Sequence, residues 1–244
     1  LLAAKAKVDA VDNNGRTALS YAAEKGHVDS VKALLAAKAD ANLGQRDLPL
    51  PSAVIGRHPE IAETLLRGGA NPNLAAKLSH DVRAPGGPDF QPGTIGTFGP
   101  YLPLQIAVAD RNVSMVKLLL KYKANANALD PWAQPPKSLL FYALQPRDVD
   151  LLNAFLEAGA NPNAVDPRGN TALLNAVLGR SPGTVRALLE AGAKSDPHDG
   201  SGATPLYSAI LTDNADCVEM LLAHGADTEI MVNGVYSSLR TAVE

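Results

Sequence analysis

Leucine and alanine recur along the chain at nearly constant intervals. Seven leucines, each followed three residues later by an alanine, recur at intervals of 31, 54, 36, 33, 33 and 33 residues. Pairs of adjacent large apolar residues recur at the same 31, 54, 36, 33 and 33 residues. Because both sets of intervals change together, each insertion falls between repeating units and never inside one. The seven leucines are Leu19, Leu50, Leu104, Leu140, Leu173, Leu206 and Leu239.

The spacing within each unit predicts two short antiparallel helices. Positions three apart lie on one face of a helix, so the leucine and the alanine of the first helix face the same neighbour. The apolar pair ends the second helix, and the glycine that follows suits a left-handed cap. These glycines are Gly69, Gly159, Gly192 and Gly225. Lysine replaces this glycine at Lys5, Lys38 and Lys123, at an expected cost of about 1 kcal/mol each. We expect the units to stack, since none can bury its apolar face alone.

These units resemble the ankyrin repeat over essentially the whole chain. The resemblance is carried by Gly15-Arg16-Thr17-Ala18-Leu19, by Gly26-His27, by Ala39-Asp40-Ala41-Asn42 and by Thr204-Pro205-Leu206. The family usually has histidine directly after the conserved leucine, whereas other residues stand there in this chain. That departure weakens one local hydrogen bond and leaves the helical spacing unchanged. The resemblance implies an all-α solenoid of stacked helix-turn-helix units with finger loops, and the 54-residue interval adds one long insertion between repeats.

The repeats predict a single ankyrin-repeat domain over residues 1–244. The chain starts within a second helix and stops within a first helix, so we expect it to be a fragment of a longer protein. The predicted parts are a partial repeat at 1–11, repeats at 12–43, 44–74, 97–128, 133–165, 166–198 and 199–231, an insertion at 75–96 and a partial repeat at 232–244.

Two insertions carry some of the aromatic residues, which make up only 5% of the chain. The segment 75–103, which includes the longer insertion, contains Phe98 and Tyr101, and it either folds back over the repeats or acts as a hook for a partner. The shorter one holds Trp132, the only tryptophan, which is either a packed residue or a binding anchor. Because all insertions share one place in the repeat, we expect Phe98, Tyr101 and Trp132 to contact the same partner.

Composition excludes several classes of protein. Hydrophobic residues make up 46% of the 244 residues, too many for a wholly disordered chain. The net charge of -3 argues against a general nucleic-acid binder. One cysteine rules out an intramolecular disulfide framework and a cysteine-rich zinc site. We expect a monomeric, cytoplasmic protein that does not bind membranes, with nuclear or host-delivered placement as alternatives.

The sequence shows no catalytic motif. It has no phosphate-binding Gly-x-x-x-x-Gly-Lys-Ser/Thr loop, no His-Glu-x-x-His and no Gly-x-Ser-x-Gly. His27 and His58 occupy the same place in successive repeats, which favours a structural role. Cys217 lies within a predicted second helix and is expected to be a buried, unreactive thiol. We therefore predict no enzyme activity, no cofactor and no metal ligand.

The resemblance implies a protein–protein interaction scaffold that binds through its concave surface, its finger loops and the segment 75–103. One alternative is a regulatory or targeting module of a larger enzyme or sensor, whose catalytic domain lies outside this sequence. Another is a small-ligand site beneath the insertion. The predicted partner-binding residues are Phe98, Tyr101, Asp110, Trp132, Lys137, Gln145, Arg168, Leu178, Leu211 and Tyr236.

Overall fold

A computed structural model describes most of the chain as helical hairpins with two short pairs of strands. The described residues are 7–44, 46–77, 100–130, 133, 135–146, 148–196, 203–232 and 235–238. For the strand residues 229–232 and 235–238 only the backbone is described. The chain forms two compact units, unit 1 at 1–125 and unit 2 at 126–244. The single domain over 1–244 stays a prediction.

Unit 1 consists of three stacked helical hairpins. The first helices of the hairpins pack against one another, and so do the second helices. The core leucines Leu19, Leu50 and Leu104 are buried between them, next to buried alanines. The helices are α1 Ala18–Lys25, α2 Val28–Ala36, α3 Pro49–Ile55, α4 Pro59–Arg67, α5 Pro103–Ala109 and α6 Val113–Lys121.

Unit 2 continues the same pattern and adds two antiparallel strand pairs. Helices α7, α9 and α11 pack side by side as second helices, and α10 packs against α8. The elements are β1 Leu129–Asp130, β2 Lys137–Ser138, a 3-10 helix Leu139–Ala143, α7 Val149–Glu157, α8 Ala172–Leu178, α9 Pro182–Glu190, α10 Pro205–Leu211, α11 Ala215–Ala223, β3 Glu229–Val232 and β4 Val235–Ser238. The sequence pattern did not predict the β3–β4 hairpin, and Leu239 lies outside the described residues.

One first helix differs from the prediction. Residues 139–143 form a 3-10 helix where the repeat pattern predicts an α-helix. Pro146 stands where Gly179 closes α8 with a bond from its N–H to the carbonyl of Asn175. Proline has no N–H and its ring crowds the carbonyl four residues earlier, so this last helical turn cannot form.

The predicted left-handed caps are confirmed in the described repeats. The four glycines that follow the second helices have φ between 78° and 93°. Lys38 and Lys123 adopt the same conformation with φ of 66° and 68°, while Lys5 lies outside the described residues. The repeat therefore keeps its left-handed cap even where the residue carries a side chain that disfavours positive φ.

Asparagine side chains tie neighbouring repeats together within both units. In unit 1 the Asn42 carbonyl accepts the N–H of Asn71 at 2.7 Å, and its amide donates to the carbonyl of Gly69 at 2.9 Å. In unit 2 Asn163 accepts from the N–H of Lys194 at 2.8 Å and donates to Gly192 at 3.4 Å. These bonds give hydrogen-bond partners to backbone N–H and C=O groups at the base of the fingers.

The His58 side chain packs between two helical hairpins of unit 1 and contacts both. Its Nε2 lies 3.1 Å from the Glu24 carbonyl oxygen, and its ring fills the space left by two glycines. A Cβ built on Gly56 would lie 2.6 Å from His58 and 2.7 Å from the Glu24 carbonyl. The structural role predicted for His58 agrees with this packing.

Replacing Gly56 with alanine should therefore destabilise the protein by about 1–3 kcal/mol, the usual cost of overpacking. Gly179 is the matched control, since it also follows its core leucine by six residues and has an ordinary φ of -74°. An added Cβ there meets nothing closer than 3.2 Å. Gly179→Ala should change stability by about 1 kcal/mol or less. Equal losses in urea melts of the two variants would show that His58 packing does not matter.

Candidate functional site

The finger turns are held in shape by an aspartate in each of three repeats. The Asp12 carboxylate accepts the N–H groups of Asn14 and Arg16 at 2.9 Å and the hydroxyl of Tyr21 at 2.9 Å. The bond from the Arg16 N–H is the main reason why the pKa of Asp12 lies below its usual value. The bond from the Tyr21 hydroxyl to Asp12, which joins the finger to the first helix, has counterparts in two further repeats. There Tyr142 donates to Asp130, and Asn175 donates to Asp166.

A cation stacks on each of the two tyrosines that hold a finger. The Arg16 guanidinium carbon lies 3.9 Å from the centre of the Tyr21 ring. The Lys137 ammonium lies 4.1 Å from the centre of the Tyr142 ring, in the equivalent place. Lys137, predicted from the sequence to contact a partner, is thus engaged within its own finger by a cation–π interaction.

In unit 1, ion pairs cover the ends of the first helices. Arg16 pairs with Glu24, and its Nε lies 3.4 Å from a carboxylate oxygen of the buried Asp47. Burial alone would raise the pKa of Glu24, but hydrogen bonds from Lys25 and Arg16 outweigh it and lower that pKa. The charged side chains at this end of α1 are therefore already paired within the protein.

Asp110 is the predicted first-helix contact that the structure places differently. The sequence suggested an exposed position, but the carboxylate pairs with Arg57 and its side chain is only 15% exposed. The cause is Arg57, which follows α3 in the left-handed conformation with φ of 58° and reaches the neighbouring repeat. Sequence spacing alone does not reveal a bond between side chains of two repeats.

In unit 2, leucines stand at the same repeat position and are open to solvent. Leu178 and Leu211 follow their core leucines by five residues, as Glu24 does in the first complete repeat. Their side chains end α8 and α10 and are 50% and 67% exposed. Gln145, at this position in the preceding repeat, is also exposed, as is Arg168 on the finger before α8. We call this surface, with residues 129, 165, 168, 178, 180 and 211, the inner face of unit 2.

Two exposed apolar finger residues were missed by the sequence analysis. Leu129 and Val165 are more than half exposed, and each lies opposite the residue two before a core leucine. Counting 25 residues forward from the core leucines Leu104 and Leu140 would have shown both at one finger position. They add two exposed apolar side chains on the fingers to the two at the helix ends.

Several predicted contacts lie outside what the structure describes. Phe98 and Trp132 belong to segments that are not described, and for Tyr236 only the backbone is described, in β4. Tyr101 pairs with Ala76 through two backbone hydrogen bonds of 2.8 and 2.9 Å. This pair closes the base of the long insertion in the way that Val165 and Thr171 close a finger.

Cys217, which the sequence offered as a possible nucleophile, lies in the protein core. Cys217 is fully buried in α11, and burial is the main cause of the raised pKa of its thiol, followed by the charge of Asp216. Within the described ranges, no three His, Cys, Asp or Glu side chains form a group that could hold a metal ion. No described helix has the length and apolar character needed to cross a bilayer.

Comparison with protein families gives a match over most of the chain. The model described as "Ankyrin repeats (3 copies)" matches residues 1–76 and 139–231. The model described as "Ankyrin repeat" matches residues 101–131, between those two regions. The matched regions include every described helix of both units.

Solved structures of ankyrin repeat domains share this all-α fold. The domain of Bcl-3, described as a unique member of the IkappaB protein family, has a TM-score of 0.63 at 25% identity, with 91% of each chain covered. A domain from Acinetobacter baumannii AYE has a TM-score of 0.64 at 24% identity, covering 86% of this chain and 98% of the other. The human ASB11 domain gives 0.56 at 24% identity, covering 91% of this chain and 90% of the other.

Proposed function

Since the chain belongs to the ankyrin-repeat family, whose domains are generally protein–protein interaction modules, we propose that it is a scaffold that binds a partner through the inner face of unit 2. The finger loops and the segment 75–103 add to this contact. The fold itself is a non-catalytic scaffold, and the proposed activity is recognition alone.

The observation that carries the proposal is the pair of exposed leucines at one repeat position. Leu178 and Leu211 end adjacent helices, and packed helices lie about 10 Å apart. Together with Leu129 and Val165 they place four large apolar side chains on fingers and first helices. Contiguous exposed apolar surface rimmed by polar residues is typical of a protein-binding site.

Unit 1 supports the choice of unit 2 by contrast. There Glu24 and Asp110 are engaged by Arg16 and Arg57, so a partner would have to break ion pairs to reach the helix ends. At Leu178 and Leu211 a partner displaces only water from apolar surface, which favours association. Gln145 and Arg168, which were also predicted as contacts, are exposed in the same unit.

The regulatory-module alternative uses the same surface, because a targeting module also recognises a protein. The monomeric state, the cytoplasmic placement and the single site shared by Phe98, Tyr101 and Trp132 stay predictions. Each of them is open to a separate measurement on the full chain.

Affinity capture with quantitative mass spectrometry tests the proposal. The wild-type chain should retain a partner that the combined variant Leu178→Ala and Leu211→Ala loses. Deleting residues 79–98 should weaken retention of the same partner. Leu222→Ala is the matched control, since Leu222 is an exposed leucine on the second helix α11. Equal recovery of every protein by wild type and the double variant would overturn the proposal.

A further inference from the structure

We propose that the exposed side of α6 in unit 1 binds an acidic segment of a partner protein. This site is separate from the inner face of unit 2 and goes beyond the proposed function. Three observations lead to it: the charges of the second helices, the shortage of carboxylates beside α6, and the positions of its lysines.

The second helices of the two units carry opposite net charges. Counted with the two residues that follow each helix, α2, α4 and α6 of unit 1 contain six lysine and arginine side chains and three carboxylates, a net charge of +3. The same count for α7, α9 and α11 of unit 2 gives one arginine and five carboxylates, a net charge of -4. An acidic segment is therefore attracted to the second helices of unit 1 and repelled by those of unit 2.

Four of the six cations of unit 1 are exposed on and beside α6, and we call them the α6 surface: Arg67, Lys117, Lys121 and Lys123. The three lysines belong to α6 and its cap, and Arg67 ends α4, which packs against α6. Glu63 serves two of them, since its Oε1 lies 2.9 Å from Nη2 of Arg67 and 3.9 Å from Nζ of Lys121. Among the described residues, Lys117 and Lys123 have no ion-pair partner. With the charge of Glu63 included, the α6 surface keeps a net charge of +3.

The repeat itself does not require cations at these positions. Lys117 and Lys121 lie two residues before and one residue after the apolar pair of their helix. Among the described second helices, only α6 has a cation at both places. The equivalent residues are Lys32 and Ala36 on α2, Glu63 and Arg67 on α4, Asn153 and Glu157 on α7, Arg186 and Glu190 on α9, and Glu219 and Ala223 on α11. Packing of the repeat therefore accepts either charge, or none, at these positions.

The lysines of α6 also stand where they weaken the local structure. Lys117 and Lys121 are neighbours across one helical turn, and like charges at this spacing destabilise a helix. Lys123 adopts the left-handed conformation with φ of 68°, where four other repeats have glycine. A residue with a Cβ is strained in that conformation. Departures from the stable choice are expected at functional sites, so these positions favour a role in binding.

The charge of the whole chain favours a short acidic segment over a long polyanion. A nucleic acid or an anionic membrane responds to the field of the entire protein, whose net charge is -3. A short segment responds chiefly to charges within the Debye length, about 8–10 Å in physiological salt. From Lys117 to Lys123 the helix rises by about 9 Å, a distance that about three residues of an extended segment cover. The α6 surface therefore suits a few Asp or Glu side chains close together in a protein sequence.

Selection from a peptide display library tests the proposal on the full chain. Random peptides of about 12 residues, which span about 40 Å when extended, would be selected on the wild-type chain. The selected pool would then be passed over the combined variant Lys117→Gln, Lys121→Gln and Lys123→Gln. Peptides that this triple variant fails to retain should be rich in Asp and Glu. A synthetic copy should bind the wild-type chain about tenfold or more tightly than the triple variant, and its affinity should fall as salt is added.

The matched control is the combined variant Lys7→Gln, Lys25→Gln and Lys77→Gln, which removes the same charge from three other exposed lysines of unit 1. It should bind the acidic peptide as the wild-type chain does. Both triple variants should keep the wild-type urea midpoint, because exposed side chains contribute little to stability. If the α6 variant loses stability, Lys117→Gln alone serves instead. It breaks no ion pair among the described residues and should weaken binding about twofold.

Equal losses of binding in the two triple variants would mean that the peptides respond only to net charge, and would overturn the proposal. Selected peptides without an excess of Asp and Glu would overturn it as well. So would tighter binding, through the same three lysines, of single-stranded DNA of about 12 nucleotides or of vesicles that contain phosphatidylserine. Salt-dependent self-association that the α6 substitutions abolish would make a second copy the occupant instead.

The result is independent of the proposed function. The combined variant Leu178→Ala and Leu211→Ala leaves the α6 surface intact, so it should bind the acidic peptide as tightly as the wild-type chain. Failure of the α6 surface to select acidic peptides would leave the inner face of unit 2 standing. Loss of the acidic peptide in the leucine variant would show that it binds the inner face, and would overturn the separate site.

Discussion

Leu206→Ala should lower the free energy of unfolding by about 2–5 kcal/mol, the range measured for buried leucines in protein cores. Leu206 is fully buried in α10, which packs against both α8 and α11. Its removal leaves a cavity between two hairpins. The surrounding side chains are held by their own helices and can fill that cavity only in part. Stacked repeats gain much of their stability from such contacts between neighbours, so the loss should appear as a lower urea midpoint.

Leu211→Ala is the control for this loss. It makes the same chemical change five residues later on the same helix, where the side chain is exposed. Substitutions at exposed positions usually change stability by no more than about 0.5 kcal/mol. A loss below about 1 kcal/mol at Leu206 would mean that α10 does not support the stack as described.

The second large effect is expected in binding. Replacing Leu178 and Leu211 together with alanine should weaken partner binding by at least about 2 kcal/mol, which is about 30-fold in Kd. Apolar anchors at the centre of an interface dominate its energy because the surrounding residues exclude water from them. Alanine keeps the helix propensity of α8 and α10 intact, so the fold should not change.

Leu222→Ala should bind the partner as tightly as the wild-type chain, since Leu222 lies on α11 away from the inner face. Calorimetric titration of the variants against the captured partner measures the difference. If Leu222→Ala weakens binding as much as the double variant does, the partner contacts the second helices instead.

Much of the fold could be predicted from the sequence because its signals are local and repeated. A leucine and an alanine three apart, followed by an apolar pair and a glycine, define one hairpin each time they occur. The left-handed caps at Lys38 and Lys123 were predictable for the same reason, since glycine takes that place in other repeats. Repetition turns a weak local signal into a reliable one.

Features that depart from the repeat at a single residue, or that depend on contacts between repeats, could not be predicted in this way. The 3-10 helix before Pro146 departs from the repeat through a single residue. The pairing of Asp110 with Arg57 requires two side chains from different repeats to meet. Position in the repeat predicts which residues lie at a helix end, but only the neighbouring side chains decide whether that end is covered or open to a partner.

The most direct test of the central claim compares Leu206→Ala and Leu211→Ala in the same two experiments, a urea melt and a titration with the captured partner. The claim is that one helix, α10, supports the fold with one leucine and binds the partner with the other. Leu206→Ala should lose about 2–5 kcal/mol of stability, and Leu211→Ala should keep its stability and lose affinity. If Leu211→Ala loses stability in step with affinity, or keeps full affinity, the claim is wrong.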